Sequence, residues 1–367
     1  MVPLLALLIT SCSSTSSTDQ KESNSTGKYV ITAQFDGGND FVNGLARVQI
    51  GTKWGFIDKT GHYVIKAQFD DAHDFVNGFA RVQIGKKFGY IDKTGKYIIP
   101  SHFDFAMDFA DGLAVVERGT RWGYIDETGR YVITPQFDGA MDFVDGIATV
   151  QMGITLGYID KVGKYLITPQ FSGASKFIDG LALVESGGKF GFIDKAGKYV
   201  IAANFDGALP FEDGLALVEI GPKTGYIDKT GKYVIAPIFA AAANNFAEGL
   251  AVVQNGSKFG YIDKTGKYVI PPQFDAAYDF VDGLATVNSG GTFGYIDKTG
   301  KYAITPQFAA ANSFAGGLAR VQTGAKWGYI DKTGKFAVTP QFDSANNFAD
   351  GLALVQSGTK WGYISHP

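Results

Sequence analysis

A single cysteine in 367 residues leaves no basis for a disulfide framework or for a metal site built from several thiolates. Charge of one sign is also missing: 33 basic residues face 36 acidic ones, a formal net charge of −3. No strong field therefore exists to draw in a phosphate backbone or an acidic membrane, and nucleic acid is not expected as a partner. Histidine is scarce, and His62, His73, His102 and His366 read as scattered loop residues rather than as a ligand set. No apolar run reaches the roughly 20 residues that a bilayer-spanning helix needs. Neither a Gly-x-Ser-x-Gly elbow, nor a glycine-rich phosphate loop, nor His-Glu-x-x-His occurs. The expectation is a chain that is not an enzyme and carries neither cofactor nor metal.

The one cysteine stands at a telling place. Cys12 ends the run from Val2 through Ile9, Thr10 and Ser11, and a polar tract from Ser13 to Thr18 follows, too poor in apolar residues to fold. Ile9-Thr10-Ser11-Cys12 resembles the bacterial lipobox, in which a signal peptide is cut before a cysteine that then carries lipid. No Lys or Arg stands near Met1, which departs from the usual signal peptide. The resemblance implies a signal peptide over 1–11, a lipidated Cys12 with a Ser/Thr-rich linker over 12–27, and an exported protein anchored to a bacterial membrane. Ser13, where inner-membrane retention favours Asp, resembles sorting to the outer membrane or cell surface.

What the sequence has in excess is glycine, 48 residues, with 29 Phe and 18 Tyr, a composition of short strands and tight turns. Gly55, Gly89, Gly123, Gly157, Gly191 and Gly225 recur at intervals of 34; Gly260 follows after 35, then Gly294, Gly328 and Gly362 at 34 again. Such periodicity marks a repeat architecture. In each unit, Ala46 and Val48 alternate with Arg47 and Gln49, the period of two of a strand with one buried face. Asp58-Lys59-Thr60-Gly61 separates Trp54–Ile57 from Tyr63–Ile65, so those segments should pair as an antiparallel hairpin. Three strands per unit follow, with the stretch from Phe69 to Phe75 crossing to the next copy. One unit is too small to offset the entropy of ordering its backbone, at about 1–2 kcal/mol per residue, so neighbouring units must cover one another. The fold class is all-β: ten 34-residue repeats over 28–367, stacked as an open β-solenoid or superhelix, with a closed propeller-like ring as the alternative. Ten copies of 34 residues favour the open form, since propellers usually have about four to eight longer blades. The ends favour the ring, because the array begins on the third strand, Tyr29–Ile31, and finishes on the second, Trp361–Ile364, the two halves of one hairpin.

Lys53-Trp54-Gly55, Arg121-Trp122-Gly123, Lys326-Trp327-Gly328 and Lys360-Trp361-Gly362, with Gly-Leu-Ala-x-Val upstream and Ile-Asp-Lys-Thr-Gly downstream, resemble the bacterial WG (KWG) repeat. Phe88, Phe190, Phe259 and Phe293 replace Trp, while Leu156 and Thr224 abandon the aromatic. The resemblance implies a β-repeat and little chemistry. The aspartates of the Asp58 and Asp70 columns come one per repeat at turn positions, which reads as turn capping rather than calcium binding. Trp54, Trp122, Trp327 and Trp361 form an aromatic column able to stack on sugar rings or peptide segments, or to fill the space between copies. The Arg47 column varies most: Arg81, Val115, Thr149, Leu183, Leu217, Val252, Thr286, Arg320 and Leu354. The candidate ligand-binding residues are accordingly those four tryptophans with Arg47, Arg81 and Arg320. The expected partner is a protein or glycan of the cell envelope, with the membrane touched only through the lipid anchor.

Overall fold

The computed structural model describes residues 27–242 and 245–367. Each repeat forms its own antiparallel sheet, and the ten sheets stand as blades around one axis. In blade 1 the strands are Gly37–Gly38, Leu45–Ile50, Lys53–Asp58 and Tyr63–Phe69, paired in that order. Blades 2 to 9 repeat this plan, opening at Asp71, Phe105, Gly139, Gly173, Gly207, Ala241, Ala276 and Ala310. The expected hairpin is present, with Phe56 opposite Ile65 and Ile57 opposite Tyr63. The strand count is four rather than three. The extra strand is only two residues long in most blades, too short for any alternation, and lies inside the stretch read as a crossover. It reaches the next strand through Asn43-Gly44, where both residues have positive φ, 53° and 85°, and Val42 and Leu45 exchange backbone hydrogen bonds. That is the geometry of a primed two-residue hairpin, whose twist matches the strands it joins.

Of the two arrangements considered, the molecule adopts the closed propeller-like ring and not the favoured open stack. Blade 10 takes three strands from the C-terminal end, Ser344–Ala345, Leu352–Ser357 and Lys360–Ser365, and its fourth from the N-terminal side, Tyr29–Phe35. Tyr29 faces Ile364, Ile31 faces Tyr363 and Phe35 faces Trp361. An open array would leave two exposed sheet edges; here the phase of the ends removes both.

The core lies between blades. Ala46 and Val48, with their counterparts through Ala353 and Val355, are at most 1% exposed, as the alternation requires. One apolar cluster contains Val115, Tyr124, Ile133 and Phe137 of blade 3 together with Ala140, Phe143, Ala148 and Val150 of blade 4. Each blade is thus covered only when its neighbour is present. The tyrosines at the Phe56 position add a polar tether: Tyr124 donates its hydroxyl to the Met141 carbonyl of the next blade at 2.8 Å, and Tyr363 to that of Asn39 at 2.7 Å across the closure.

The glycine of the Trp-Gly pair is fixed by close approach. A Cβ on Gly123 would lie 2.5 Å from the Ile133 carbonyl oxygen and 2.7 Å from the Pro135 nitrogen, where the outer strand bulges toward its neighbour. Both aspartate columns serve turns. Asp58 accepts the Thr60 N–H at 2.9 Å and its hydroxyl at 2.6 Å. Asp70 accepts the Gly85 N–H at 2.7 Å and pairs with Lys53 at 2.6 Å, tying one blade to the next. In several blades the Lys after the capping aspartate reaches the acidic turn residue of an adjacent blade, as Lys161 does to Asp111 at 2.9 Å and Lys59 to Asp350 at 2.9 Å.

Candidate functional site

The short inner strand and the turn after it bring one irregular position per blade toward the axis. Asp40, Asp74, Asp108 and Asp142 occupy it in blades 1 to 4, Lys176 in blade 5 and Asp279 in blade 8. Their convergence is visible in the electrostatics. Burial raises the pKa of the Tyr90 hydroxyl, and the carboxylates of Asp108 and of Asp142, two blades away, raise it further. Tyr363 is likewise raised by burial and by Asp40 and by Asp74, the latter two blades distant. Groups that far apart in a ring influence one another only when gathered near its axis.

This acidic arc is partly neutralised from within. Arg47 Nε pairs with Asp74 at 2.9 Å, Arg81 Nε lies 3.8 Å from Asp108, and Asn346 donates to Asp40 at 3.0 Å. His73 is half-buried and 3.2 Å from Asp71; burial holds its pKa below the ordinary histidine value, with Arg81 acting the same way and Asp71 opposing. Asp142 is exposed, yet partial desolvation raises its carboxyl pKa, Asp108 adds to the rise, and Arg81 opposes it. Among the described residues no three His, Cys, Asp or Glu side chains are grouped to hold a metal ion.

The variable Arg47 column points into the layer between blades. Arg47, Arg81 and Arg320 each donate to a backbone carbonyl of the following blade: Ala72, Ala106 and Ala345 respectively. Val115, Val252 and Leu354 are at most 2% exposed. The column therefore sets how completely each inter-blade space is filled. Between blades 4 and 5, where it is Thr149, a cavity of about 330 Å³ opens, lined by Met107, Met141, Ile147, Asp142 and Lys176 among others. Phe177 on its wall is 8% exposed, against 2% for Phe109 and Phe143 at the same position in blades 3 and 4.

The tryptophans stand elsewhere. Trp54, Trp122, Trp327 and Trp361 are half-buried at the start of the third strand, beside the Gly51-type turns, at the end of the blade opposite the Asn43-Gly44 turns. Closure places Trp327, Trp361 and Trp54 on three consecutive blades, 9, 10 and 1. Arg47 sits over the Trp54 ring at 5.7 Å and Arg320 over Trp327 at 5.6 Å, while Arg81 lies over Phe88 and Phe105. Cys12 lies outside the described residues. The axial position went unnoticed in the sequence, although Asn43-Gly44 and its Asp-Gly counterparts are strong hairpin signals that would have located it.

Comparison with solved structures shows a shared architecture. A crystal structure of a eukaryotic initiation factor matches over 94% of this chain and 93% of its own, at 12% identity and a TM-score of 0.50. At that identity the likeness concerns the fold alone. Hsv2 of Kluyveromyces lactis covers 70% of this chain and 94% of its own at 10% identity, with a TM-score of 0.35, too low to carry an argument. No curated protein matches the sequence. The WG containing repeat, by contrast, matches ten times: 23–54, 54–88, 88–119, 122–153, 157–190, 190–223, 225–259, 259–292, 293–327 and 327–361. With nearly the whole chain so matched, and each blade built on one repeat, the protein belongs to the family of WG containing repeat proteins.

Proposed function

We propose that this ring is a non-catalytic binding scaffold for a macromolecular partner, carried at a bacterial cell envelope by a lipid on Cys12. One observation carries the reading: the constant residues are used up in holding the ring together, and the irregular ones collect at its axial opening. The capping aspartates, most inter-blade lysines and the tyrosine hydroxyls at the Tyr124 position have internal partners. The axial positions change from blade to blade, which is how repeat proteins specify a partner on a constant frame. Lysines held in ion pairs, such as Lys53 with Asp70 and Lys298 with Glu248, leave little free positive charge for nucleic acid. A protein docked over the opening is favoured, since the mouth mixes carboxylates with exposed apolar groups such as Met141. A glycan is the second reading, supported by Trp327, Trp361 and Trp54 on neighbouring blades with cations over two of them.

Photo-crosslinking tests the first reading. A crosslinker at Met141 should capture an envelope protein that one at Thr134, exposed on an outer strand, does not. Equal capture at both positions, or turnover of an envelope substrate by the purified protein, would overturn it. Glycan binding lost on Trp327→Ala with Trp361→Ala, the fold being intact by circular dichroism, would favour the second. Labelling with palmitate, abolished by Cys12→Ala, checks the anchor.

A further inference from the structure

The cavity between blades 4 and 5 has features that the ring does not need. Nine other inter-blade layers follow the same backbone plan, and where the variable column carries Arg81, Leu217 or Leu354 that side chain is buried in its layer. Thr149 is shorter and lines the cavity together with residues of blades 3, 4 and 5, whereas Thr286, at the same position in blade 8, is 2% exposed. The cavity, about 330 Å³, falls at the lower end of small-ligand pockets, roughly 300–1,000 Å³. Its wall is apolar through Met107, Met141 and Ile147, with one anionic and one cationic side chain, Asp142 and Lys176. These two do not pair with each other within 4.0 Å, and among the described residues neither charged group has another hydrogen-bond or ion-pair partner, whereas Asp74 and Asp108 beside the same axis are met by arginines. Asp142 and Lys176 are both exposed at this mouth, and a carboxylate and an ammonium left apart beside an apolar space complement a small molecule carrying the opposite pair of charges on a hydrocarbon body.

We propose that this cavity binds a free apolar α-amino acid as its zwitterion, with the ligand ammonium on Asp142, its carboxylate on Lys176, and its side chain against Met107, Met141 and Ile147 in the space left by Thr149. The site shares Met141, Asp142 and Lys176 with the axial opening, but the two readings fail separately: absence of amino-acid binding leaves macromolecular docking to the crosslinking test, and absence of crosslinking leaves amino-acid binding to titration. No bond is made or broken.

Isothermal titration of the purified ring with leucine, methionine and phenylalanine tests the assignment. At least one should bind saturably at one site. Isoamylamine and isocaproate, which each keep one of leucine's two charges, should bind about tenfold more weakly or not at all. Asp142→Asn and Lys176→Met should each weaken amino-acid binding about tenfold. Thr149→Leu, which installs the residue that Leu183, Leu217 and Leu354 provide in the same column, should abolish binding while leaving circular dichroism and Tm nearly unchanged. The proposal is overturned if no apolar amino acid binds saturably up to about 10 mM, if the single-charge analogues bind as well as leucine, or if Thr149→Leu still binds.

Discussion

At position 123 a hydrogen is all the outer strand permits, because a methyl group would press on the backbone of Ile133 and Pro135. Backbone cannot swing away as a flexible side chain does, so Gly123→Ala should destabilise the ring by about 1–3 kcal/mol, read from denaturant midpoints. Gly112→Asn provides the contrast: its φ of 83° is left-handed, nothing lies within 4 Å of a Cβ there, and Asn tolerates that region, so the loss should be smaller. Protonation acts at this scale too. Asp58, held low first by the Thr60 hydroxyl, and Asp70, held low first by Lys53, have folded pKa values below their unfolded ones. Stability from such groups is complete above the unfolded value, about 3.9, and is lost as pH falls through the folded one. His73 has the opposite charge type: with its folded pKa lowered, the unfolded chain takes up the proton first, and stability declines as pH drops below about 6.5. A Tm profile should therefore show a slight fall near pH 6 and a steep one below pH 4; a flat profile down to pH 3 would contradict these assignments.

The blade as an element depends on its partner across the inter-blade layer more than on its own surface charges. Tyr124→Phe removes the hydroxyl that bonds to Met141 and should cost about 0.5–1.5 kcal/mol without loss of fold, since Phe56 and Phe192 already fill the same position. Lys161→Met, which breaks the exposed pair with Asp111, should cost no more than about 1 kcal/mol. Equal losses would mean that the ion pairs matter as much as the layer. The alternation of Ala46 and Val48 and the Asp-Lys-Thr-Gly turn made the second, third and fourth strands legible in advance. The first strand was not, because Gly37–Gly38 has no periodicity and exists only through pairing with Gln49 and Val48.

For the whole molecule, closure is the decisive contact. Removing residues 1–35 takes away the outer strand of blade 10, together with Ile31 and Phe35 from the core shared with Phe41, Val48 and Leu354. The opened ring should lose its single cooperative transition and associate through the bare Lys360–Ser365 edge, visible by size exclusion. A circular permutant that links residue 367 to residue 28, with new ends in the Gly119-Thr120 turn, should keep the parent's spectrum and nearly its Tm, because the closing layer repeats the bonds of the others. Cooperative unfolding of the truncated chain at the parent's midpoint would show that closure contributes nothing.

The sequence by itself determined the repeat, its length, the buried face of each strand and the turn that the capping aspartate makes, because these depend on neighbours within one 34-residue unit. Closing the ring, gathering Asp40, Asp74, Asp108 and Asp142 at one axis, and turning Thr149 into the floor of a hollow were decided only by tertiary structure. Curvature accumulates over ten interfaces, and whether Tyr29 meets Ile364 depends on the sum of small rotations that no single repeat encodes.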